Sequence, residues 1–183
     1  MGEHPKIDLR RRLRAARRAL DPAVRAAESV AVAQQVIRWL AVERPPALAS
    51  YLALSEELSL DAVHTWWWGE GHALWLPRVI APGQLSWHAV TDLAQVRSGA
   101  YGIREPDPEL APAGVLPPAA AMLVPGVGFT TEGARLGMGG GFYDRLLAAR
   151  KGPTIGVAFG CQRCAELPGE AHDQAVGQVL FGS

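Results

Sequence analysis

The sequence predicts an α/β fold in which a mostly parallel sheet carries helices on both sides. Short, nearly continuous apolar runs, the pattern of buried parallel strands, alternate with longer stretches of helical periodicity. The 183 residues are 49% hydrophobic and 20% charged, the composition of a globular protein with its own core. We find no internal repeat and no shift of composition, so we expect a single domain over residues 1–183.

The first part of the chain predicts two helices and a strand. Residues 5–20 suit an arginine-rich helix with Pro5 near its first position. Asp21 is a good N-cap for a second helix, which apolar residues at helical spacing carry to about Val42. Residues 47–54 are short and apolar, as expected of a buried parallel strand.

Two acids follow that strand and precede a third helix. Glu56 and Glu57 lie at the carboxyl end of the strand, where open α/β sheets keep their ligands, although a solvated loop is the alternative. Ser59 is expected to cap a helix that ends with three tryptophans, residues 66–68. These cannot all face the core, and we expect His64 at a helix-surface or packing position.

Two further strands are predicted next. Residues 73–80 are apolar, and we expect the strand to end at Pro77, which cannot donate to a sheet. Residues 85–90 alternate like a half-exposed strand, with His88 on the surface.

The second half of the chain continues the alternation. Residues 102–118 are rich in proline and predict an ordered connection. Residues 119–124, 154–159 and 176–181 are short apolar runs that predict buried strands, and Phe142 begins a helix between the first two of them.

The most informative stretch lies between the strand that ends at Val124 and the helix that begins at Phe142. Glycines occupy positions 137 and 139–141, with Arg135 before them and Asp144 after them. A glycine-rich turn that opens a helix presents backbone N–H groups to an anion, usually a phosphate. No Lys-Ser/Thr pair follows, and the dinucleotide fingerprint is incomplete, so neither of those two patterns applies. A tight structural turn is the alternative to a nucleotide-phosphate site.

Remote charges add to this interpretation. Lys6 and Arg10 are four residues apart and so share a helix face, which suits a polyphosphate, whereas the rest of the arginine run is expected to be a solvated face. Asp173 could join Asp144 as a second carboxylate on Mg²⁺, a metal that prefers oxygen ligands, or it could have no role. Cys161 and Cys164 have the spacing C-x-x-C but lack the context of a zinc or redox site, so we interpret them as incidental thiols.

The balance of positive and negative charge limits the classes of binding partner that we expect. Lys and Arg together number 18, as do Asp and Glu, so no net field recruits nucleic acid or an anionic membrane. Neither a run of about 18 apolar residues nor a secretory signal pattern is present. We therefore expect a cytoplasmic protein with no nucleic-acid or membrane partner.

Several phrases, in order along the chain, resemble the 5-formyltetrahydrofolate cyclo-ligase family, also called 5,10-methenyltetrahydrofolate synthetases. The most specific is Gly133-x-Arg-Leu-Gly-x-Gly-x-Gly-x-Tyr-Asp144. The weaker phrases are Lys6-x-x-x-Arg10, Tyr51 with Glu57, Leu76-Pro-Arg-Val79, Gly102-Ile-x-Glu-Pro106, Pro125-Gly-Val-x-Phe129, Ile155-Gly-Val-Ala-Phe159 with Gln162, and Pro168 with His172-Asp173.

The resemblance implies a fold and an activity. The fold is a three-layer α/β/α sandwich, Rossmann-like and of the NagB/RpiA/CoA-transferase kind. The activity is that of a ligase forming C–N bonds in one-carbon folate metabolism, which converts 5-formyltetrahydrofolate to 5,10-methenyltetrahydrofolate with Mg²⁺ and ATP and releases ADP and phosphate. Phosphorylation of the formyl oxygen precedes attack by N10. A monomer or weak homodimer is expected.

The resemblance also assigns residues. The implied ATP contacts are Lys6, Arg10, Arg135, Leu136, Gly137, Met138, Gly139, Gly140, Gly141, Phe142 and Tyr143, with Lys6 and Arg135 as catalytic cations. The implied folate contacts are Leu52, Glu57, Met138, Gly139, Gly140, Gly141 and Phe142, and the implied Mg²⁺ ligands are Asp144 and Asp173. Met138, Gly140, Phe142 and Gly177 depart from residues common in the family, but none removes a cation or metal ligand. A non-catalytic nucleotide or folate binder and an RNA-associated relative remain alternatives.

Overall fold

A mixed sheet lies at the centre of the molecule. The structure, a computed structural model, describes residues 5–81, 83–99 and 104–183. The strands are β1 (Leu48–Ala49), β2 (Leu74–Ala81), β3 (Gln84–Val90), β4 (Val96–Ser98), β5 (Arg104–Pro106), β6 (Ala113–Gly114), β7 (Ala121–Val124), β8 (Gly128–Phe129), β9 (Arg135–Leu136), β10 (Thr154–Ala158) and β11 (Gln178–Phe181). The helices are α1 (Pro5–Arg18), α2 (Pro22–Glu43), α3 (Asp61–Gly69) and α4 (Phe142–Ala148), with 3₁₀ turns at Leu93–Gln95 and Gly160–Gln162.

The order of the strands confirms the predicted α/β class. Within the described residues the large sheet has the order β11-β10-β7-β1-β2-β3-β6. The strands from β11 to β2 are parallel to one another, whereas β3 and β6 form an antiparallel edge. The small pairs β4-β5 and β8-β9 lie outside this sheet.

Alternate residues of the parallel strands pack on opposite faces of the sheet, as a pleated strand requires. Leu48, Leu123 and Ile155 belong to one core cluster, which also contains Val36 of α2 and Trp67 of α3. Their chain neighbours Ala49, Met122 and Val124 belong to a second cluster with Leu147 of α4. Helices therefore cover both faces, as expected.

One of the two predicted helix caps is confirmed. Asp21 caps α2 by accepting a hydrogen bond from the N–H of Ala23 at 2.8 Å. The N-cap of α3 is Leu60, which makes no side-chain cap hydrogen bond, so the prediction that Ser59 caps this helix is wrong by one residue. The Ser59 hydroxyl still accepts a hydrogen bond from the N–H of Asp61 at 3.2 Å. Among the described residues, no helix combines the length and apolar character needed to cross a membrane.

The predicted strand over residues 47–54 is mostly not a strand. Only Leu48 and Ala49 pair on both sides, with β2 and β7. The N–H of Ser50 still bonds to the carbonyl of Trp75 at 2.9 Å, after which the chain leaves the sheet towards Glu57.

The prediction that Pro77 ends its strand is wrong. Strand β2 continues to Ala81 and pairs Pro77 with Trp87 of β3. On its other side β2 pairs with β1 only at Leu74 and Trp75, so the missing N–H of Pro77 leaves no partner unsatisfied there.

The surface position predicted for His88 is also wrong, because the chain near Ala111 covers it. Its side chain is 1% exposed and bonds the carbonyl of Ala111 at 2.7 Å and the hydroxyl of Ser86 at 2.8 Å. His64 is buried as well, in the packing position that the sequence allowed. Of the proline-rich connection, Gly102 and Ile103 lie outside the described residues.

Candidate functional site

The glycine-rich stretch forms an open loop between β9 and α4. Gly139 and Gly141 have φ values of 100° and 64°, which L side chains rarely adopt, and Gly141 is the N-cap of α4. The carbonyl oxygens of Gly137 and Gly140 accept hydrogen bonds from Arg10 at 2.8 Å and Arg145 at 3.0 Å. Within the described part of the chain, the N–H groups of residues 138–141 have no protein acceptor, so they remain available to an anion.

A small polar cavity of about 270 Å³ lies on one side of this loop. It brings together the first helix, the glycine loop and a loop near the end of the chain. Its lining residues are Lys6, Ile7, Arg10, Arg135, Leu136, Gly137, Gly139, Gly141, Asp144, Glu170, His172 and Asp173. We call it the cationic cavity, because three predicted ATP-binding cations face it.

Lys6 is held in this cavity by carboxylates. Its Nζ lies 3.0 and 2.7 Å from the two oxygens of Asp173 and 3.3 Å from Glu170. Burial alone would lower the pKa of Lys6, but the hydrogen bonds to Asp173 and Glu170 outweigh it and leave that pKa raised. Burial likewise acts to raise the pKa of Asp173, but the Lys6 hydrogen bond leaves it lowered. Both groups are therefore charged at neutral pH.

Arg135 forms the second ion pair of the cavity. Its Nη2 donates to Asp144 at 2.7 Å, and its guanidinium lies 5.6 Å from the ring centroid of Tyr143. The Arg135 side chain is 3% exposed, and its Nε has no hydrogen-bond partner within the described residues. A desolvated guanidinium with unused donors is suited to a phosphate or another oxyanion.

A second cavity, of about 350 Å³, lies across the same loop. We call it the apolar cavity. Its lining residues are Glu57, Pro77, Val79, Leu85, Pro125, Gly126, Arg135, Gly137, Met138, Gly139, Gly140, Gly141, Phe142, Tyr143 and Asp144. Arg135, Asp144 and the glycines 137, 139 and 141 line both cavities. The glycine loop therefore forms part of the lining of both cavities.

The residues predicted to contact folate are partly brought together here. Glu57 lies at the apolar cavity, and its Oε2 accepts the N–H of Leu54 at 3.1 Å. Met138, which is 53% exposed, and the half-buried Phe142 lie at the rim. Leu52 instead packs in the core and lines neither cavity.

The two predicted metal ligands share the cationic cavity, although each is already paired with a cation. Carboxylate oxygens are the donors that Mg²⁺ prefers, so Asp144 and Asp173 fit this ion chemically. The potential ligand atoms of Glu170, His172 and Asp173 also lie within 4.8 Å of one another. Glu170 was not among the residues predicted from the sequence, where its only signal is a carboxylate three residues before Asp173.

Arg145 is a second residue at the glycine loop that was not predicted from the sequence. Besides its bond to Gly140, its guanidinium lies 5.7 Å from the ring centroid of Phe142. The signal is its position four residues after Gly141, which on a helix directs the side chain back over the loop.

The cysteines stay incidental. Cys161 and Cys164 are free and half-buried, and burial raises the pKa of each thiol. Raised thiol pKa values disfavour the thiolates that metal or redox chemistry requires.

Comparisons with known proteins identify the family of this chain. The model of the 5-formyltetrahydrofolate cyclo-ligase family matches residues 3–182. The 5-formyltetrahydrofolate cyclo-ligase of Escherichia coli K12 is 30% identical over 182 residues, which are 93% of this chain and 97% of that protein. The enzyme of the same name from Mycolicibacterium smegmatis is 43% identical over 82 residues, which are 44% of this chain and 42% of that protein.

A solved structure supports the fold. The NMR structure of Aquifex aeolicus 5,10-methenyltetrahydrofolate synthetase has a TM-score of 0.80 and 30% sequence identity, and the match covers 97% of this chain and 90% of that one. The family model extends over residues 3–182 and so includes the residues that line both cavities and the loop between them. The chain therefore belongs to the 5-formyltetrahydrofolate cyclo-ligase family of enzymes.

Proposed function

We propose that this chain converts 5-formyltetrahydrofolate to 5,10-methenyltetrahydrofolate in an ATP- and Mg²⁺-dependent reaction that releases ADP and phosphate. The observation that supports it most directly is the pair of cavities on opposite sides of one glycine loop. A reaction between a nucleotide and a second substrate needs two such sites that meet at the reacting atoms.

The nucleotide phosphates belong in the cationic cavity. Lys6, Arg10 and Arg135 supply positive charge, and the free N–H groups of residues 138–141 supply hydrogen-bond donors. The pterin belongs in the apolar cavity, where the Glu57 carboxylate is a hydrogen-bond acceptor for ring N–H groups.

The chemistry that this arrangement serves is activation of a poor electrophile. The γ-phosphoryl group passes from ATP to the formyl oxygen, N10 attacks the formyl carbon and loses its proton, and the C–O bond breaks as phosphate leaves. Phosphoryl transfer depends on positioning and charge neutralisation rather than on a protein nucleophile. Arg135 lines both cavities, which supports a contact between its guanidinium and the group in transfer.

Asp144 and Asp173 are the residues that would hold Mg²⁺. When bound, the ion neutralises phosphate charge and orients the phosphates. Without nucleotide, the same two carboxylates hold Arg135 and Lys6 in position. The site is thereby preorganised for a charged ligand.

The test is to incubate the purified chain with 5-formyltetrahydrofolate and Mg-ATP and to follow the absorbance of the methenyl product. We expect product that depends on ATP and is lost when EDTA removes Mg²⁺. Folded protein that binds both ligands in calorimetry but yields no product would overturn the proposal in favour of a non-catalytic binder.

A further inference from the structure

Arg17 departs from the solvated face expected for the arginine run of α1, because it is buried. It lies four residues after Leu13 and so belongs to the face with which α1 packs against the rest of the molecule. Its side chain is 3% exposed, and its Nε has no hydrogen-bond partner within the described residues. Replacing a buried ion pair by apolar side chains is often neutral or stabilising, so stability alone does not account for an arginine here.

Two carboxylates in the turn after β1 face this guanidinium. Arg17 Nη2 donates to Glu56 Oε1 at 2.9 Å, and Arg17 Nη1 lies 3.8 Å from Glu57 Oε1. Glu56 has other cations, since Arg18 Nε donates to it at 2.7 Å and Arg14 Nη2 lies 3.5 Å away. For Glu57, Arg17 is the one cation at ion-pair distance in the described part of the chain. Removal of Arg17 would therefore deprive Glu57, but not Glu56, of its counter-charge.

The backbone of the same turn holds Glu57 from its other side. The N–H of Leu54 donates to Glu57 Oε2 at 3.1 Å, and the N–H of Glu57 donates to the Leu54 carbonyl at 2.9 Å. One carboxylate oxygen is thus held by the turn and the other faces Arg17, which together set the direction of the group. A carboxylate oxygen can accept more than one hydrogen bond, so acceptor capacity remains for a ligand. Glu57 lines the apolar cavity, whereas Arg17 lines neither the apolar nor the cationic cavity.

We propose that Arg17 is a positioning residue of the folate site: it fixes the Glu57 carboxylate in the orientation that accepts hydrogen bonds from the pterin ring, without touching the ligand itself. This inference rests on the proposed function, because it needs the pterin in the apolar cavity. An arginine suits the task because its planar fork is always charged and its two terminal nitrogens can face two carboxylates at once. Lysine carries the charge but not the fork, so it can replace Arg17 only in part.

The experiment is a double-mutant cycle in which calorimetry measures the Kd of 5-formyltetrahydrofolate and, separately, the Kd of Mg-ATP. Arg17→Met should weaken folate binding about tenfold and change the Kd of Mg-ATP less than about twofold. Glu57→Gln keeps one acceptor oxygen, so it should weaken folate binding but leave it measurable. In this background Arg17→Met should change the folate Kd less than about twofold, because Arg17 acts through the charge of Glu57.

Two further variants complete the design. Arg17→Lys should restore most of the affinity, to within about threefold of the unmodified chain, because the positive charge is kept. The control Arg12→Met removes an exposed arginine of the same helix and should change neither Kd.

A merely structural role for Arg17 has a different signature. Equal weakening of Mg-ATP and folate binding overturns the proposal, and so does a loss of folate affinity that is the same with and without the Glu57 carboxylate. If Arg17→Met does not fold, Arg17→Lys replaces it in the cycle, and an undiminished effect of lysine in the Glu57→Gln background likewise overturns the proposal.

The readout is binding, which separates this proposal from the proposed function. Folate binding without turnover in the unmodified chain contradicts the proposed reaction alone, and the cycle still decides the role of Arg17. An unmodified chain that binds no folate overturns both.

Discussion

At the scale of residues, two ion pairs line the cationic cavity. Each of them joins a predicted ATP-binding cation to a predicted metal ligand. Lys6 pairs with Asp173, and Arg135 pairs with Asp144. The sequence predicted these four residues but not their pairing, because nothing in the spacing of residues 6 and 173 shows that they meet. Lys6 and Asp173 meet because α1 docks against the loop that contains Glu170 and Asp173.

Asp144→Asn separates the metal role from the structural role of this residue. The amide oxygen still accepts from Arg135, so we expect a fall of only a few degrees in the melting temperature, corresponding to about 1–2 kcal/mol. The kcat with Mg-ATP should fall at least about 100-fold, as when a charge-stabilising group is lost. The control Asp8→Asn removes a carboxylate that, among the described residues, pairs with Arg11 of the same helix. Unchanged kcat in Asp144→Asn would show that the metal assignment is wrong.

His64 makes stability depend on pH. Burial lowers its pKa to about 4, whereas an unfolded histidine titrates near 6.5. Since only the unfolded state binds the proton between these values, folding stability is complete above about pH 6.5 and falls towards pH 4, by about 3 kcal/mol. Urea unfolding at pH 7 and pH 4.5 should show a smaller loss in His64→Gln than in the unmodified chain. The exposed His72, as His72→Gln, should leave the loss unchanged, and equal losses in all three proteins would contradict the assignment.

At the scale of elements, the sequence predicted most helices and strands, since local caps and apolar runs determine them. Asp21 caps α2 where expected, because capping involves only neighbouring residues, whereas Ser59 lies one residue before the N-cap of α3. The failures at Pro77 and His88 have a non-local cause. Whether Pro77 needs an N–H partner depends on how far β1 extends, and whether His88 is exposed depends on the chain near Ala111.

The candidate site likewise has a part that local sequence predicts and a part that depends on remote residues. The loop from Arg135 to Asp144 is contiguous, so its role as an anion site could be proposed from the sequence. The sequence could not predict that the loop separates two cavities, because Glu57, Pro77 and Leu85, which also line the apolar cavity, come from remote parts of the chain.

Gly141 tests the loop as an element. Gly141→Ala places a side chain at φ 64° and brings its Cβ within 2.8 Å of Arg145 Nη1. We expect a loss of about 1 kcal/mol of stability, measured by urea unfolding, and a higher KM for ATP, because the loop must shift. Gly69→Ala is the matched control: it lies at the end of α3 with nothing within 4 Å, and it should be neutral or stabilising. An unchanged KM for ATP in Gly141→Ala would contradict a role for the loop conformation in ATP binding.

At the scale of the whole molecule, the cationic cavity joins the two ends of the chain. Lys6 and Asp173 are 167 positions apart and hydrogen-bonded. Leu13 also packs α1 against Val127 and Leu136 beside the glycine loop. A ligand in this cavity therefore binds only the fully folded chain and should stabilise it by mass action.

Lys6→Met should reduce the stabilisation of the fold by Mg-ATP but not its stabilisation by 5-formyltetrahydrofolate. With Mg-ATP at about 100 times its Kd, the unmodified chain should gain about 2.7 kcal/mol and several degrees in melting temperature. The variant should lose about half of this gain, the effect of a tenfold weaker Kd, but keep the shift caused by 5-formyltetrahydrofolate. Lys151→Met, at an exposed position, should show both shifts. Loss of the folate shift as well would mean that Lys6 supports the fold rather than the nucleotide.

The bond between Lys6 and Asp173 also orders events during synthesis. A ribosome that adds about 5–20 residues per second needs on the order of ten to thirty seconds to make the 167 residues that separate them. During this time the growing polypeptide contains the residues of α1, but it lacks strand β11 and Asp173, the carboxylate with which Lys6 pairs. We therefore expect the proposed ATP site to be complete only after Asp173 has been synthesised and has paired with Lys6.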